Sequence, residues 1–482
     1  MEFLTERLLS HARRVPDKTA VWEGERSLTY AELAAYAYAV SRALEELGCG
    51  ADSVIVPEAT PTTEYVRICL GIHLLGGVHV PVENRIPDDR LAEIAERVSA
   101  ELLISAHDPA CGIRHITPAE LLARAEKYVL SWTPETPVGA PRMDERGEIL
   151  FTTGSTGRSK GVVHSRRGMT AYVQTINASL RMHEGTVLLV VTPLNHAGGL
   201  HRLYMTLYAG GTLVLMDGLK NLAAFYDTIA RRGVNTLYLP PSGVHILLLF
   251  SAKQLAALDG KLDFVFTASA PFPESEREKM CRLLPSTRLI EAYGGSEVGS
   301  VCNYNYNDPT VRQGCIGKPY DCVEVRLAGE DGLIQIKSPM TMMGYLDDPE
   351  LTASVFDGEW FMTSDCGRLD EDGYLYFLGR NDDVINIGGK KVAPSELEDA
   401  ALRCEGVSDC ACVGVADATA GTMIKLLVVM KNGCAFDPKR IVRELRTRVE
   451  DYKLPALVEE TDAIPRLFNG KINRKELRRT QQ

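Results

Sequence analysis

The residues best suited to chemistry form one polar stretch, TTGSTGRSKG, at residues 152–161. Its glycines permit close backbone approach to a ligand, and its hydroxyl groups can donate hydrogen bonds or contact a metal ion. Arg158 and Lys160 add positive charge. Apolar residues flank the stretch at 149–151 and 162–163. The pattern predicts a loop that cradles phosphate groups, with a flexible surface loop as the alternative.

This loop differs from two common nucleotide-binding patterns. A Walker loop needs the spacing GxxxxGK(S/T), but the sixth residue is Ser159 counted from Gly154 and Val162 counted from Gly157. The sequence contains no GxGxxG pattern either. The residue types therefore indicate phosphate binding without indicating either of those two folds.

The loop resembles the phosphate-binding signature of the adenylate-forming superfamily, which comprises acyl-CoA synthetases, amino-acid adenylation domains and luciferases. Other signatures of that superfamily are matched in the same order along nearly the whole chain. They are LTYAEL at 28–33, PLNHAGG at 193–199, ASAP at 268–271, YGGSE at 293–297, GCIGKP at 314–319, TSD at 363–365, GRNDDVINIGGKKVAPSELE at 379–398, YKLP at 452–455 and PRLFNGKINR at 465–474. The resemblance implies a ligase that activates a carboxylic acid with ATP, releasing pyrophosphate and forming an acyl-adenylate.

The resemblance also implies a nucleotide site, residue by residue. Its phosphate contacts would come from the loop residues Thr152, Thr153, Gly154, Ser155, Thr156, Gly157 and Lys160. Its adenine contacts, with Tyr293 stacked on the base, would come from Ser269, Ala270, Pro271, Tyr293, Gly294 and Ser296. Asp365 would accept both ribose hydroxyls, because a carboxylate suits a vicinal diol, and Arg380 would reach the ribose.

Two charged residues would act on the reacting groups. By resemblance, Glu297 would give a carboxylate oxygen to Mg²⁺, with Thr153 and Thr156 as further oxygen contacts. Lys471 would bridge the attacking carboxylate and the α-phosphate, where an ammonium group stabilises charge that grows in the transition state. From composition alone, Lys471 would be a solvated lysine and Glu297 a solvated surface charge.

The sequence departs from the superfamily pattern at two points of this site. Ala268 and Ser269 stand where a Gly-Gly pair is usual, and Ser296 stands in place of a threonine. Ser296 keeps the hydroxyl group, whereas Ala268 and Ser269 add bulk where substrate and adenine meet. The shape of the pocket is therefore expected to differ from that of typical members.

The acyl site is expected around His196, which stands where amino-acid-activating members carry an Asp that pairs with the substrate's ammonium group. The resemblance argues against an α-amino acid and places His196 beside the carboxylate site and the thiol channel; a loop histidine satisfied by backbone is the alternative. Helix spacing from Gly199 puts Leu203 and Leu207 on one stripe, which is typical of a core. Arg202, beside that stripe, is predicted to be a surface arginine, with contact to a second substrate carboxylate as the alternative.

The segment GGKKVAPSELE resembles the CoA-using branch, so CoA is the predicted thiol acceptor. Gly388, Gly389 and Lys390 would line the CoA channel, and Asp382 would be the hinge about which a small domain rotates between half-reactions. The alternative is an acyl-adenylate ligase that loads a carrier-protein thiol or an amine. A nucleotide-binding protein without ligase activity is a third hypothesis, but the Lys, Glu and Asp that such a protein would lose are present.

The sequence pattern predicts an α/β fold for the elements that position these residues. Apolar runs of strand length alternate with helix-period segments through the first 300 residues, which indicates mostly parallel sheets flanked by helices. For example, a helical face from 222 ends at Gly233, and a strand at 234–239 stops at two prolines. Short strands separated by Gly and Asp predict a small β-barrel-like subdomain at about 310–380.

We place a domain boundary after Arg380. Residues 1–380 would form the adenylation domain, and residues 381–482 a small mobile α+β domain that carries the catalytic lysine. In the second unit, the pattern predicts a helix at 394–403, a strand near 423–430 and a basic amphipathic helix near 437–451.

Composition limits the compartment and the partners. The net charge of −11 disfavours nucleic acid and anionic membrane surfaces as partners. No apolar run approaches the roughly 18 residues of a bilayer span. The twelve cysteines lack zinc-site spacing, which favours reduced thiols and a cytoplasmic location. The predicted partners are a small carboxylic acid and CoA, with a homodimer as an open question. Fatty, aryl, succinylbenzoate-like and dicarboxylic acids all fit.

Overall fold

The computed structural model describes residues 2–152, 159–270, 272–308, 310, 312, 314–329, 332–381, 383–387, 390–417, 421–466 and 472–479. Ten of the predicted site residues lie outside these ranges. They are Thr153, Gly154, Ser155, Thr156, Gly157, Pro271, Asp382, Gly388, Gly389 and Lys471. Their predicted roles stay predictions.

The helices of the described residues are distributed along the whole chain. They are α1 Leu4–Arg14, α2 Tyr30–Glu46, α3 Thr63–Leu75, α4 Asp88–Arg97, α5 Pro118–Val129, α6 Arg166–Leu180, α7 Ala197–Tyr208, α8 Leu222–Arg232, α9 Pro241–Phe250, α10 Ala252–Ala256, α11 Glu274–Leu283, α12 Pro349–Ser354, α13 Pro394–Leu402, α14 Pro438–Leu445 and α15 Arg474–Arg479. A short 3₁₀ turn occupies Asp451–Lys453.

The strands of the large region alternate with these helices. They are β1 Thr19–Glu23, β2 Arg26–Thr29, β3 Val54–Ala59, β4 Val78–His79, β5 Val82–Glu83, β6 Leu102–Ile104, β7 His115–Ile116, β8 Arg146–Thr152, β9 Lys160–Ser165, β10 Val187–Val190, β11 Thr212–Leu215, β12 Thr236–Tyr238, β13 Phe264–Thr267, β14 Arg288–Gly295, β15 Gly299–Asn305, β16 Cys315–Pro319, β17 Glu324–Ala328, β18 Leu333–Lys337, β19 Gly344–Tyr345, β20 Phe356–Asp357, β21 Trp360–Leu369 and β22 Leu375–Arg380. The last part of the chain adds β23 Ile385–Ile387, β24 Lys390–Val392, β25 Val407–Asp417, β26 Gly421–Met430 and β27 Leu457–Glu460.

Two large sheets carry the site. The first has the strand order β17-β18-β21-β22-β16-β15-β14-β13-β12-β10-β11-β1-β2, with β20 beside β21. Its central strands from β14 to β1 are all parallel. The second has the order β19-β9-β8-β4-β3-β6-β7, with β5 beside β3. Residues of β11 and β13 are buried throughout, as expected where helices cover both faces of a parallel sheet.

The prediction of an α/β fold with helices around mostly parallel sheets is confirmed. The helix expected from 222 is α8, and it ends because Gly233 adopts a left-handed φ of 63° that a side chain would disfavour. The strands between 315 and 380 pair in the antiparallel sense; β16 joins all of them except β19 to the first sheet, and β19 pairs with β9 of the second sheet. The β-rich segment therefore continues the large sheet.

The last part of the chain is an α+β unit in which β25, β26 and β27 form a three-stranded sheet. The expected helix at 394–403 and strand near 423–430 are present as α13 and β26. The basic helix predicted for 437–451 was too long, since α14 ends at Leu445. Beyond Leu445 the backbone forms turns, in which Thr447 donates to the Glu444 carbonyl oxygen at 3.2 Å and Arg448 to the Leu445 carbonyl oxygen at 2.8 Å.

The cores are built from apolar residues on both sides of each sheet. One cluster joins α1, α2, α6 and α7 to the first sheet and a second lies on its other face, whereas the C-terminal unit has a core of its own. Among the described helices, none combines the length and the apolar character needed to cross a bilayer.

Candidate active site

The strands on either side of the polar loop form an antiparallel hairpin. β8 ends at Thr152 and β9 begins at Lys160, and the two residues are directly paired. From α4, Arg97 donates to the backbone oxygen of Ser159 at 3.0 Å, and Arg90 donates to its hydroxyl. Sequence reasoning missed these two arginines. Both arginines also pair with Glu93, so part of their charge is offset, and Lys160 adds a further positive charge at the described end of the loop.

The predicted metal carboxylate lies beside the same hairpin. The Tyr345 hydroxyl donates to Glu297 Oε1 at 3.2 Å, and the Lys160 ammonium lies 5.1 Å from the centre of the Tyr345 ring. Tyr345 is placed there because β19 pairs with β9. Burial raises the pKa of Tyr345, and the Glu297 charge adds to the effect, so the phenol keeps its proton and stays a donor. One ring thus joins the carboxylate to the loop lysine.

The predicted adenine and ribose residues come together from three strands of the first sheet, with Tyr293 on β14, Asp365 on β21 and Arg380 on β22. The Tyr293 hydroxyl donates to Asp365 Oδ2 at 2.7 Å. Arg380 lies opposite Asp365 in the β21–β22 ladder, with its Nε 3.6 Å from Asp365 Oδ1. Burial raises the pKa of Tyr293 well above its usual value. Three residues that are 72 and 15 positions apart in sequence therefore form one polar group.

Two backbone features shape the neighbouring segments. A Cβ atom on Gly294 would lie 2.1 Å from the Gly299 carbonyl oxygen, so only glycine fits there. Ser269 has a left-handed φ of 84°, is exposed, and lies with its Oγ 3.1 Å from the Tyr238 hydroxyl. Ala270 and Ser296 are half-buried. Strained backbone at an exposed serine is typical of a ligand-binding segment.

His196 begins α7 as its N-cap residue and is half-buried. Its Nε2 lies 3.4 Å from the Asn195 side-chain nitrogen. Burial lowers the pKa of His196, with the Glu83 charge opposing the effect, so the ring is neutral at pH 7. A Cβ atom on Gly199 would lie 2.2 Å from the Pro193 carbonyl oxygen, so the turn that places His196 needs glycine.

The prediction that Arg202 is a surface arginine was wrong. Arg202 is 4% exposed, because α7 is buried almost all round. Its Nη1 donates to the Tyr172 hydroxyl at 2.8 Å, and its Cζ lies 4.4 Å and 4.5 Å from the ring centres of Tyr238 and Phe266. We call these four residues the arginine box. Leu203 and Leu207 are core residues, as predicted.

The opposite face of α7 carries a second buried polar group, the carboxylate hub, formed by Glu148, Tyr204, His73, His79 and His201. The Glu148 carboxylate accepts from the Tyr204 hydroxyl at 2.7 Å, lies 3.3 Å from His201 Nε2 and lies 3.6 Å from His79 Nδ1. Burial opposes its charge, but the hydrogen bonds from His201 and His79 hold its pKa well below the usual range. The hub is thus an ion pair closed within the protein.

Cys69 lies beside the hub, and its sulfur atom and nitrogen atoms of His73 and His79 lie within 4.8 Å of one another. The Tyr204 hydroxyl stands between them, at 3.7 Å, 3.0 Å and 3.3 Å respectively. Because a phenol oxygen occupies the centre, these atoms form a hydrogen-bonded cluster. Sequence reasoning missed the hub, since its members belong to no motif.

The C-terminal unit contacts the large region through α13. Arg403 lies 3.2 Å from Glu278 on α11. Within the unit, Arg474 binds Glu398 at 2.6 Å and lies 3.5 Å from Asp383, next to the predicted hinge. The predicted CoA-channel residue Lys390 is exposed and lies with its Nζ 4.6 Å from the Tyr452 ring centre.

Comparison with known proteins gives matches along the whole chain. Residues 8–346 match the AMP-binding enzyme family, and residues 396–471 match the AMP-binding enzyme C-terminal domain. A CoA ligase of Mycobacterium tuberculosis is 30% identical, with 97% of this chain and 96% of that protein covered. Its name specifies a propanoyl chain that bears a 7a-methyl-1,5-dioxo-octahydro-1H-inden-4-yl group.

Two further proteins also match this chain over nearly its whole length. A feruloyl-CoA synthase of an Amycolatopsis species is 28% identical, and 97% of each chain is covered. The crystal structure of ATP-bound MatB from Rhodopseudomonas palustris has a TM-score of 0.87 at 24% identity, with 98% of each chain covered. The fold of the chain is therefore that of these enzymes.

Proposed function

The chain belongs to the AMP-binding enzyme family, and from that premise we propose how its residues perform the family's reaction. The protein is an AMP-forming carboxylate–CoA ligase: ATP activates a carboxylic acid to an acyl-adenylate with release of pyrophosphate, and CoA then takes the acyl group to give a thioester and AMP. The assignment of individual residues is our proposal.

The nucleotide is bound between the β8–β9 hairpin and the end of β14. The loop that follows Thr152, together with Lys160, takes the β- and γ-phosphates, and Tyr293 stacks on adenine. The Asp365 carboxylate accepts both ribose hydroxyls, and Arg380 lies at the ribose edge. The Tyr293–Asp365 hydrogen bond supports this assignment, because it joins the base-stacking ring to the ribose acceptor. It is the observation that carries the proposal.

Mg²⁺ fits the donor set at Glu297. The Tyr345 hydroxyl donates one hydrogen bond to Oε1 of the half-buried Glu297 carboxylate, which has further lone pairs for a metal ion. Carboxylate oxygens are ligands that Mg²⁺ prefers. Thr153 and Thr156 are proposed as further oxygen contacts, although they lie outside the described residues. When bound, the ion would neutralise phosphate charge. Tyr345 holds the carboxylate in place, and Lys160 adds charge from the other side of the ring.

The acid and the thiol meet at His196. Its ring is neutral and half-buried at the start of α7, so it can donate a hydrogen bond to the acid carboxylate without carrying charge. Nucleophilic oxygen attack on the α-phosphorus needs a positive partner for the developing charge, and we assign that role to Lys471. The ammonium group of Lys471 acts in the first half-reaction only.

The C-terminal unit is proposed to rotate about Asp382 between the half-reactions, since Lys471 and the Gly388–Gly389 segment serve the same site at different times. Lys390 lies at the CoA channel. A cytoplasmic location is supported by twelve cysteines that are all free thiols. A homodimer is the proposed assembly, and size-exclusion chromatography with light scattering tests it.

The assignment is tested with Glu297→Gln, using Glu126→Gln on the exposed surface of α5 as the matched control. Pyrophosphate release, AMP and acyl-CoA are measured over a panel of carboxylic acids. We expect Glu297→Gln to lower adenylation about 10²-fold or more, because a charge partner of the transferring phosphates is removed. Normal pyrophosphate release by the folded variant would refute the metal assignment, and no release by the wild type with any acid would refute the function.

A further inference from the structure

Arg202 has an unusual environment for a buried cation. Four Lys or Arg residues among the described residues are almost fully buried. Three of them lie near a carboxylate: Arg166 is 3.6 Å from Asp52, Lys425 is 2.5 Å from Glu459 and Lys453 is 2.6 Å from Glu396. Within the described part of the chain, Arg202 alone of the four has no such partner.

The neighbours of Arg202 leave hydrogen-bonding capacity unused. A guanidinium has five N–H donors. Nη1 donates to Tyr172 and lies 3.4 Å from the Met205 sulfur, whereas the buried Nε has no hydrogen-bond partner among the described residues. The rings of Tyr238 and Phe266 support the positive charge through their faces but accept no strong hydrogen bond. The arginine box therefore encloses the positive charge of Arg202 without supplying a negative charge to neutralise it.

The box lies next to the proposed acyl site. Gly198 and Arg202 are four residues apart on α7, the helix that His196 begins, so they share one helix face. Tyr238 covers that face: a Cβ atom on Gly198 would lie 2.8 Å from the Tyr238 hydroxyl. The same hydroxyl lies 3.1 Å from Ser269 Oγ in the segment proposed to border adenine. The Tyr238 side chain thus lies between Arg202 and the Ser269 segment that is proposed to border adenine.

We propose that Arg202 binds a second carboxylate, at the far end of the acid that the enzyme activates. This inference rests on the proposed function and names the substrate class, a dicarboxylic acid. The planar guanidinium matches a carboxylate with two parallel hydrogen bonds, and the substrate supplies the negative charge that the box lacks. An acid that ends in a methyl group leaves both the charge and Nε unpaired, so the site discriminates against it.

The test uses matched acids. Linear diacids of increasing length and one aryl diacid are each compared with the monomethyl ester and with the methyl-terminated acid of equal length, and kcat/KM for acyl-CoA formation is measured. The ester keeps the shape and the carbonyl group but loses the charge. The wild type is expected to prefer at least one diacid over its ester by about 10²-fold or more, since buried groups left unpaired are strongly discriminating.

The variants assign that preference to the box. Arg202→Met, close in volume, is expected to reduce the diacid-to-ester ratio to near one, and Arg202→Lys to keep part of it, because lysine retains charge without the planar fork. Arg231→Met on the exposed side of α8 is the control and keeps the wild-type ratio. If Arg202→Met does not fold, Tyr172→Phe tests the same point: loss of the Nη1 acceptor is expected to lower the ratio several-fold.

A wild type that prefers no diacid overturns the proposal, and so does a folded Arg202→Met variant that keeps the diacid preference. Both outcomes are recorded on an enzyme that releases pyrophosphate with some acid. Failure of the proposed function, by contrast, is the absence of pyrophosphate release with every acid in the wild type. The two failures are therefore distinguishable.

Discussion

The two faces of α7 bury charge in different ways. On one face, Tyr204 and His201 join the carboxylate hub, where Glu148 is surrounded by hydrogen-bond donors from the protein itself. On the other face, Arg202 is enclosed by aromatic rings and has no carboxylate within the described residues. Neighbouring positions of one helix therefore carry a neutralised charge and an unneutralised one.

The difference separates stability from specificity. A closed network lowers the free energy of the folded state only if all its members are present, because a single buried charge without a partner is costly. An open charge lowers the free energy of a complex when a ligand brings the missing partner. Substitutions in the hub should therefore change unfolding, and substitutions in the box should change the choice of substrate.

The largest effect is expected for Glu148→Ala. The substitution leaves the fully buried His79 and the mostly buried His201 without their carboxylate, which should lower the free energy of unfolding by about 3–5 kcal/mol. Urea unfolding followed by tryptophan fluorescence measures it, and Glu126→Ala on the exposed face of α5 is the control. An unfolding free energy within 1 kcal/mol of the wild type, roughly the value for an ordinary surface change, would show that the hub is not a closed network.

A pair of hydroxyl deletions, one on each face, sharpens the comparison. Tyr204→Phe removes the hydroxyl that donates to Glu148, and it should lower the free energy of unfolding by about 1–3 kcal/mol because buried groups lose a partner. Tyr172→Phe removes the acceptor of Arg202 and should act mainly on the diacid-to-ester ratio of kcat/KM. Equal effects of the two variants on both quantities would contradict the division between hub and box.

Sequence alone selected residues of the proposed nucleotide site that lie far apart in the chain. Tyr293, Asp365 and Arg380 were assigned from motifs in different parts of the chain, and the structure brings them together. Motifs can select such residues because each motif is a local pattern, even when its members meet only in the folded chain. Tyr345 was missed, although the Gly344–Tyr345 pair lies beside the loop strand, because its position depends on the β9–β19 pairing.

The two buried polar groups were beyond local patterns. Glu148 directly precedes the apolar run at 149–151 of β8, and its partners come from three other elements, so only the tertiary structure unites them. Arg202 was expected at the surface because arginine usually is exposed. One signal was available: α7 contains no acidic residue and no polar face, with His201 and Arg202 as its only basic side chains. A helix with that pattern is buried.

A smaller effect is expected from pH. Burial lowers the pKa of His73 to about 3, so the unfolded chain binds a proton below about pH 6.5 that the folded chain does not, and stability falls as pH decreases. Burial opposes a charge on His79, but Cys69 and Glu148 raise its pKa to about 9. The stabilisation that protonated His79 gives the folded chain is therefore complete below pH 6.5, and it is lost as pH rises toward 9. The free energy of unfolding should therefore peak near pH 6.5.

Each limb should have a slope of about 1.4 kcal/mol per pH unit at most from these groups. Urea unfolding between pH 5 and pH 9 measures it. His73→Phe should reduce the slope of the acid limb without abolishing it, because burial also lowers the pKa of His164 to about 4. Arg202→Met should leave the shape of the profile unchanged, because arginine does not titrate in this range. If Arg202→Met instead changed the pH dependence of the free energy of unfolding, the titrating groups would not be confined to the carboxylate hub and His164.

The smallest effect is expected for Tyr238→Phe. Tyr238 contacts both sites, since its ring lies against Arg202 and its hydroxyl lies 3.1 Å from Ser269 Oγ. The variant keeps the ring, so the diacid-to-ester ratio should change by less than about 2-fold, well below the several-fold change expected for Tyr172→Phe. Loss of the hydroxyl should lower the free energy of unfolding by only about 0.5–1.5 kcal/mol and raise the KM for ATP a few-fold, because Ser269 loses its partner. Steady-state kinetics with ATP and with the matched acids separate the two contacts. A ratio that collapses while the KM for ATP stays constant would mean that the hydroxyl, rather than the ring, supports Arg202.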